Sequence, residues 1–212
     1  MQIKVLFMEK EKYIEDLKEI RKMMDQSSQF LSLSGLSGVL AGIYALVGAG
    51  IVHRLIQNHG RNVITLESQT FKQILLVAIA VLTAAIITAI ILTLIKAKKN
   101  NEKVWNKLSQ RLIINFAIPF LTGGVFSILL LKQGVYGLIG PVTLIFYGLA
   151  CVNASKYTLR DIRYLGVTLI ILGLLATAFL GNTLYFWAAG FGLCHMIYGA
   201  MMYVKYDRNK SA

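Results

Sequence analysis

The stretch KAKKNNEKVWNKLSQR, residues 96–111, decides how this chain folds. It carries six Lys or Arg residues against a single acid, Glu102, and an almost wholly apolar run of about twenty residues or more lies on each side. Basic residues beside the ends of membrane spans resist translocation and mark cytoplasmic loops. The stretch therefore predicts a cytoplasmic connector between two membrane-spanning helices, and it sets the orientation of the whole chain.

The composition agrees with a membrane protein. Of the 212 residues, 56% are hydrophobic and only 15% are Asp, Glu, Lys or Arg, whereas about a quarter of a soluble domain is charged. The net charge of +12 comes from basic residues at the ends of apolar blocks. We therefore expect membrane lipids with anionic headgroups as partners, and no nucleic acid. Cys151 and Cys194 lie inside apolar blocks, which argues against an extracellular disulfide framework.

The apolar blocks predict an all-α fold, a polytopic transmembrane bundle of six spans arranged as helical hairpins. The predicted spans are about 30–52, 71–95, 112–131, 135–155, 164–180 and 184–204. With the N-terminus inside, the cytoplasmic segments hold six, six, three and three Lys or Arg residues, eighteen of the 22, and the outside segments hold four. This bias predicts that the N- and C-termini are both cytoplasmic.

The chain divides into a cytoplasmic amphipathic helix at 1–29, a six-helix membrane domain at 30–205 and a cytoplasmic tail at 206–212. An apolar stripe along the first part suits a helix on the cytoplasmic face of the bundle; its members are Tyr13, Leu17, Ile20 and Met24. A short coiled coil is the alternative, but the stripe covers fewer than two heptads.

The helical pattern begins at Met8, which we expect to be the natural start. No signal-peptide pattern is visible, so the first span is expected to act as its own insertion signal.

Small residues at four-residue spacing mark the first span, among them Ser34, Gly38 and Gly42. Such spacing lets helix backbones approach closely in a bilayer. We therefore expect the first helix to be central in the bundle and Pro119 to kink the third. The candidate helix-packing glycines are Gly38, Gly42, Gly140, Gly148, Gly173, Gly192 and Gly199.

Ionisable groups inside a bilayer are the first candidates for a functional site. All ten acids lie outside the predicted spans, which argues against proton or sodium coupling through a carboxylate. His195 lies near the middle of the sixth span, and the candidate intramembrane polar site is His195, Tyr147, Tyr198 and Asn115.

His195 has two interpretations. It is either a heme ligand, metal ligand or proton-responsive group, or a neutral histidine hydrogen-bonded across helices, with Tyr147 as the first candidate partner. No second histidine lies in any predicted span, so the second interpretation is favoured. His53, His59 and Glu67 in the loop after the first span match no compact zinc pattern. We therefore expect no catalytic residues, no cofactor and no metal.

Two segments of the C-terminal half are alike. IFYGLACVNASKY (145–157) and CHMIYGAMMYVKY (194–206) both join Tyr-Gly to a terminal Lys-Tyr, which suggests a hairpin repeat of about fifty residues. The segment KYTLRDIRYLG…FWAAGFGLCHMIYG resembles an uncharacterised family of small bacterial six-span membrane proteins, a resemblance that implies no activity. In its general plan of three helical hairpins with Gly-rich crossings, the chain is similar to the acid-resistance membrane protein family HdeD.

Two functions are compatible with this pattern. The leading hypothesis is a small integral, multi-pass protein of the bacterial inner (plasma) membrane with a structural, sensory or stress-related role and no catalysis. The alternative is a transporter or channel subunit for a small or apolar solute. The lack of acids in the spans favours the first, and the Gly-rich first helix with Pro119 and Pro141 favours the second. A homo-oligomer is compatible with both.

Overall fold

The structure is a computed structural model that describes residues 33–60, 65–100 and 103–208. Helices make up most of this part of the chain, and it contains no strand, which confirms the all-α prediction. The first five helices are α1 (Gly35–His59), α2 (Gln69–Lys99), α3 (Lys107–Lys132), α4 (Ile139–Ala154) and α5 (Asp161–Ala178). The helix predicted at 1–29 lies outside the described residues, as does the end of the predicted tail, 209–212.

Residues 183–207 form one helical run of mixed geometry, which we call the C-terminal run. It consists of α6 (Thr183–Trp187), a π-helical segment (Ala188–Cys194), α7 (His195–Met202) and a second π-helical segment (Tyr203–Asp207). Short 3₁₀ segments, Tyr136–Leu138 and Leu180–Asn182, precede α4 and α6. π-helical turns are rare and occur often at functional sites. They were not foreseen from the sequence.

Among the described residues, five helices are long and apolar enough to cross a membrane, judged by length and composition. They are α1, α2, α3, α4 together with the 3₁₀ turn before it, and α5. The sixth predicted span, about 184–204, falls in the C-terminal run, whose α-helical parts have only five and eight residues. α3 continues through Pro119. Pro141 lies in the first turn of α4, where a missing N–H is tolerated.

The helices pack in a series whose order is α2, α1, the C-terminal run, α5, α4 and α3. α1 contacts α2 on one side and the run on the other, so it is not at the centre of the bundle. A cluster of buried side chains lies instead between α4, α5 and the run; Leu144 and Leu169 are its fully buried leucines. In the described part of the chain α2 and α3 are the two ends of the series and do not pack closely on each other.

Glycines lie where the helices cross most closely. A Cβ atom on Gly42 of α1 would lie 2.6 Å from the carbonyl oxygen of Gly192, and one on Gly199 would lie 2.8 Å from that of Gly35. Gly38 lies at the same crossing, where a Cβ would be 3.2 Å from the Cα of Gly199. These contacts join backbone to backbone, so no side chain can move aside to relieve them.

The crossing of α4 and α5 is built in the same way. Gly148 and Gly166 face each other, and a Cβ on either would lie 2.6 Å from the other's carbonyl oxygen. A Cβ on Gly173 would lie 3.0 Å from the carbonyl oxygen of Pro141. Gly140 faces the side chain of Thr183, and Gly192 also faces the side chain of Leu46. Gly35 and Gly166 make equally close approaches and were not in the predicted set.

Candidate functional site

A cavity of about 750 Å³ lies between α1, α2, α3, α4 and the C-terminal run. Its volume is typical of small-molecule pockets, which range over about 300–1,000 Å³. The lining of α2 extends from Ile74 to Ala85, a length of about 16 Å at the α-helical rise per residue. Most lining residues are Ala, Gly, Val, Leu, Ile or Phe, and none of the described lining residues is charged. The cavity is therefore suited to an apolar, uncharged molecule.

The cavity reaches one end of the bundle and not the other. Its lining includes Tyr136, Gly137 and Gly181, which lie beside the turns after α3 and α5. We call this end the turn end. The other end, called the basic end, carries the connectors 100–106 and 155–160, and none of the described residues of these connectors lines the cavity. The cavity thus extends to the turn end and stops short of the basic end.

The open series of helices leaves a lateral opening. α2 and α3 both contribute to the lining, yet they are the two ends of the series and do not pack closely together. At the turn end the rings of Phe71 and Tyr136 are 6.1 Å apart and narrow the gap there. Below this contact the cavity faces outward between two helices rich in exposed apolar side chains, such as Leu82 and Leu121.

His195 and Tyr147 form the deep polar group of the cavity lining. His195 Nε2 and the Tyr147 hydroxyl are 3.1 Å apart, so the hydrogen bond predicted between these residues is present. His195 Nδ1 lies 3.0 Å from the carbonyl oxygen of Gly190. Because a carbonyl can only accept, Nδ1 carries the proton, and in a neutral imidazole Nε2 is then the acceptor. The Tyr147 hydroxyl therefore donates to His195.

Aromatic rings hold this pair in place. The Phe191 ring lies 5.1 Å from the Tyr147 ring and 5.8 Å from the His195 ring. On the α3 side, Phe116 and Phe120 contact Tyr147 edge to face at 5.7 and 6.4 Å. Such edge-to-face contacts fix ring orientation in addition to burying apolar area. The hydroxyl of Tyr147 is thus positioned by two helices besides its own.

Tyr198 and Asn115 do not join this pair. The Tyr198 hydroxyl faces α5, where it lies 3.5 Å from Thr168 Oγ1. The side-chain amide of Asn115 donates to the backbone carbonyl of Arg111 in the preceding turn of α3. The backbone carbonyl of Asn115 accepts from the side-chain amide of Asn153 of α4 at 2.9 Å. Asn115 and Asn153 therefore bridge α3 and α4 near the basic end. Of the four residues in the predicted polar site, two come together.

Sequence reasoning missed most of the cavity. Trp187 and Phe191 line it together with His195, and the three residues are four apart. This four-residue spacing is visible in the sequence, and it could have predicted that the two aromatic residues lie on the same face as the histidine. Gly124 and Gly137 also line the cavity, and a Cβ on either would meet open space. These two glycines provide volume and not helix packing, a difference that sequence spacing does not reveal.

His53 and His59, predicted in a loop, lie instead in α1, which continues to His59, and they are paired separately. His53 Nε2 lies 2.8 Å from the Gln57 amide nitrogen, and His59 Nδ1 lies 2.8 Å from Thr70 Oγ1. Among the described residues no group of three or more His, Cys, Asp or Glu side chains could hold a metal ion. Cys151 is buried and packs beside Tyr147.

A buried ion pair lies at the basic end. Lys96 Nζ of α2 lies 2.6 Å from Asp207 Oδ1 and donates to the Leu33 carbonyl at 2.7 Å. The other carboxylate oxygen of Asp207 accepts from the Gly35 amide at the start of α1. The side chains of Lys96 and Asp207 are only 12% and 13% exposed. This set of contacts ties α1, α2 and the C-terminal run together.

A second, more exposed ion pair lies nearby. Lys205 Nζ donates to Asp161 Oδ2 at 2.8 Å, and the Tyr206 hydroxyl donates to the same oxygen at 2.9 Å. The hydrogen bond to Asp161 raises the pKa of Lys205 above its ordinary value. The pair joins the end of the C-terminal run to the start of α5. Both ion pairs thus involve the same π-helical segment, Tyr203–Asp207.

No protein-family model, curated protein or solved structure matches this chain. The resemblances to small bacterial six-span proteins and to HdeD therefore stay predictions based on the residues quoted above.

Proposed function

We propose that this protein is a six-span integral protein of the bacterial inner membrane, with both termini cytoplasmic, that binds a small apolar solute inside its bundle without catalysis. The Lys and Arg distribution supports the orientation, because eighteen of 22 fall on one side of the predicted spans. The apolar helices support the membrane location. Among the two hypotheses from the sequence, this one develops the transporter alternative.

The cavity is the observation that carries the proposal. A helical bundle with only a structural role has no need for an uncharged space of about 750 Å³ that reaches a buried His-Tyr pair. Interiors of proteins are close-packed and contain few voids larger than a water molecule. A space of this size, lined by five helical elements, is therefore best explained by a ligand.

The closed basic end favours a carrier over an open channel. The cavity lining on α2 ends at Ala85, and at the basic end the Lys96–Asp207 pair and its backbone contacts join α1, α2 and the C-terminal run. A channel conducts through a continuous pore, whereas a carrier exposes its site to one side at a time. In this proposal the turn end is the accessible side.

A sensory role is the second candidate. The C-terminal run carries the cavity residues Trp187, Phe191 and His195, and it also carries Lys205 and Asp207 at the basic end. A solute that shifts the run at the cavity therefore acts on the ion pairs at the other end. Two π-helical segments, a geometry found often at functional sites, lie in the same run.

The proposal is tested by filling the cavity. Gly124 lines it and Gly50 does not, yet a Cβ on either would meet open space. Gly124→Leu should therefore fill the cavity without a backbone clash, and Gly50→Leu is the matched control. Trp187 lines the cavity and Trp105 does not, so Trp105→Phe leaves one tryptophan that reports on the site.

The measurement is quenching of Trp187 fluorescence by a brominated alkane in reconstituted vesicles. Both glycine variants carry the Trp105→Phe substitution as well. We expect saturable quenching in the Trp105→Phe protein and in its Gly50→Leu variant, and at least about tenfold weaker binding in its Gly124→Leu variant. Quenching that rises linearly and equally in all three proteins would mean that the probe acts from the lipid, and it would refute the proposal.

A further inference from the structure

We propose that the bound solute is an uncharged amphiphile of the bilayer that carries a hydroxyl group on an apolar chain, and that its hydroxyl donates a hydrogen bond to the Tyr147 oxygen. This inference rests on the proposed function, because it names the chemical class that the same cavity takes. Its basis is the hydrogen-bonding state of each polar group in the lining.

Four hydroxyl groups of the lining already donate their protons within the protein. Ser127, Thr143 and Thr183 each donate to a carbonyl of their own helical turn, at 2.8 Å in every case. Tyr147 donates to His195, as the tautomer argument above requires. These groups therefore present only acceptor lone pairs to a ligand. A ligand that meets them favourably must be a donor.

The Tyr147 oxygen is the acceptor at the deep end. Two lining residues, Trp187 and Tyr136, have an N–H or O–H that is not used in this way. They lie toward the turn end, and Trp187 precedes His195 by eight residues in the C-terminal run. Cys151 packs beside Tyr147 and shares a side-chain hydrogen bond with it, but a thiol is only a weak donor that a ligand hydroxyl can replace. The deep end thus offers one well-positioned acceptor within apolar and aromatic walls.

The absence of charge in the lining excludes ionised headgroups. None of the described lining residues is charged, and the described acids Glu67, Asp161 and Asp207 lie at or beyond helix ends. Burying an unpaired charge in such an environment is far more costly than burying a hydrogen-bonded hydroxyl. Fatty acids and phospholipid headgroups are therefore poor ligands for the deep end, and a neutral alcohol is a good one.

The lateral opening provides the entry route. The gap between α2 and α3 faces outward between exposed apolar side chains, such as Leu82 and Leu121. An amphiphile dissolved in the bilayer can pass through this gap without crossing water. Its hydroxyl then meets Tyr147, and its chain extends along α2 toward the turn end, over the roughly 16 Å between Ala85 and Ile74.

The experiment compares two brominated probes of equal chain length, a long-chain alcohol and its methyl ether. The ether cannot donate, so the difference between the probes measures the hydrogen bond. Binding is followed by quenching of Trp187 in the Trp105→Phe protein, reconstituted in uncharged vesicles, and each apparent constant is corrected for partition of the probe into protein-free vesicles. We expect the alcohol to bind about three- to tenfold more tightly, as one buried hydrogen bond would give.

Two variants test whether the preference for the alcohol depends on the Tyr147 hydroxyl oxygen. Tyr147→Phe removes the acceptor and should make the two probes equal. Thr143→Val also removes a hydroxyl of the lining, one that already donates to Gly140, and it should keep the preference for the alcohol. The comparison of the probes in the parent protein does not depend on the folding of either variant.

The outcomes separate this inference from the proposed function. Saturable quenching by both probes with equal affinity, reduced in Gly124→Leu, would overturn the hydroxyl inference and keep the solute site. A preference for the alcohol that survives in Tyr147→Phe would also overturn it. If neither probe quenched Trp187 saturably, both the inference and the proposed function would be wrong.

Discussion

The crossing of α1 with the C-terminal run can be tested by single methyl groups. In Gly42→Ala the new Cβ would lie 2.6 Å from the Gly192 carbonyl oxygen and 2.9 Å from the Met196 amide nitrogen. Both are backbone atoms of the opposing run. Ordinary contact begins near 3.4 Å, so the two elements must separate, and the neighbouring close contact at Gly199 is loosened with them.

Two opposing effects set the magnitude. Replacing Gly by Ala inside a helix stabilises it by about 0.5–1 kcal/mol, and forcing extra volume into a packed contact typically costs about 1–3 kcal/mol. Gly50 of the same helix has open space around its would-be Cβ, so Gly50→Ala should show only the stabilising effect. The free energy of unfolding should therefore be about 1–3 kcal/mol lower in Gly42→Ala than in Gly50→Ala.

The assay is unfolding of the purified protein in mild detergent by increasing sodium dodecyl sulfate, followed by helical circular dichroism. Gly38→Ala, with 3.2 Å to the Gly199 Cα, should fall between the other two variants. Equal unfolding midpoints for Gly42→Ala and Gly50→Ala would show that α1 does not contact the run through its backbone.

Three further predictions concern topology and polar contacts. In a cysteine-free background, a cysteine at Lys99 should be shielded from an impermeant thiol reagent in intact cells and one at Asn58 should react; labelling at Lys99 would reverse the orientation. His195→Gln should keep the thermal stability, whereas His195→Leu should lower it by about 1–3 kcal/mol because its hydroxyl partner is orphaned; stoichiometric metal or a Soret band in the parent protein, lost in His195→Gln, would contradict this role. Asp207→Asn should lower stability by more than about 1 kcal/mol, and Lys205→Ala by less, since only the first breaks a buried pair; the reverse order would refute this reasoning.

Much of the fold could be predicted because a bilayer leaves few choices. Apolar blocks of about twenty residues must become helices there, since every backbone polar group needs an internal partner. The five long helices accordingly appear where blocks were recognised. Their ends were less predictable, because apolarity does not mark where a helix stops. α2 reaches Lys99 and α1 reaches His59, both several residues beyond the predicted spans.

The His195–Tyr147 contact could be predicted for an energetic reason. A lone histidine deep in an apolar block needs a hydrogen-bonding partner, and few hydroxyl side chains lie at a similar depth. The same reasoning misplaced Tyr198 and Asn115, because each had another acceptor or donor nearby. Tyr198 faces Thr168 of α5, and Asn115 bridges to Asn153 of α4. Depth in the predicted span selects candidate partners for His195, and the face of the helix on which each side chain lies decides which of them contacts it.

The cavity could not be predicted, because it depends on which helices fail to touch. Small residues were interpreted as packing sites throughout, and at Gly42 and Gly148 they are. At Gly124 and Gly137 the same residue type faces open space instead. The difference arises from the order of the series, which places α2 and α3 at its two ends although they follow one another in the chain. α2 ends and α3 begins at the basic end, on either side of residues 100–106. The basic stretch that identifies the fold in the sequence thus also lies at the base of the opening through which, in our proposal, the solute enters.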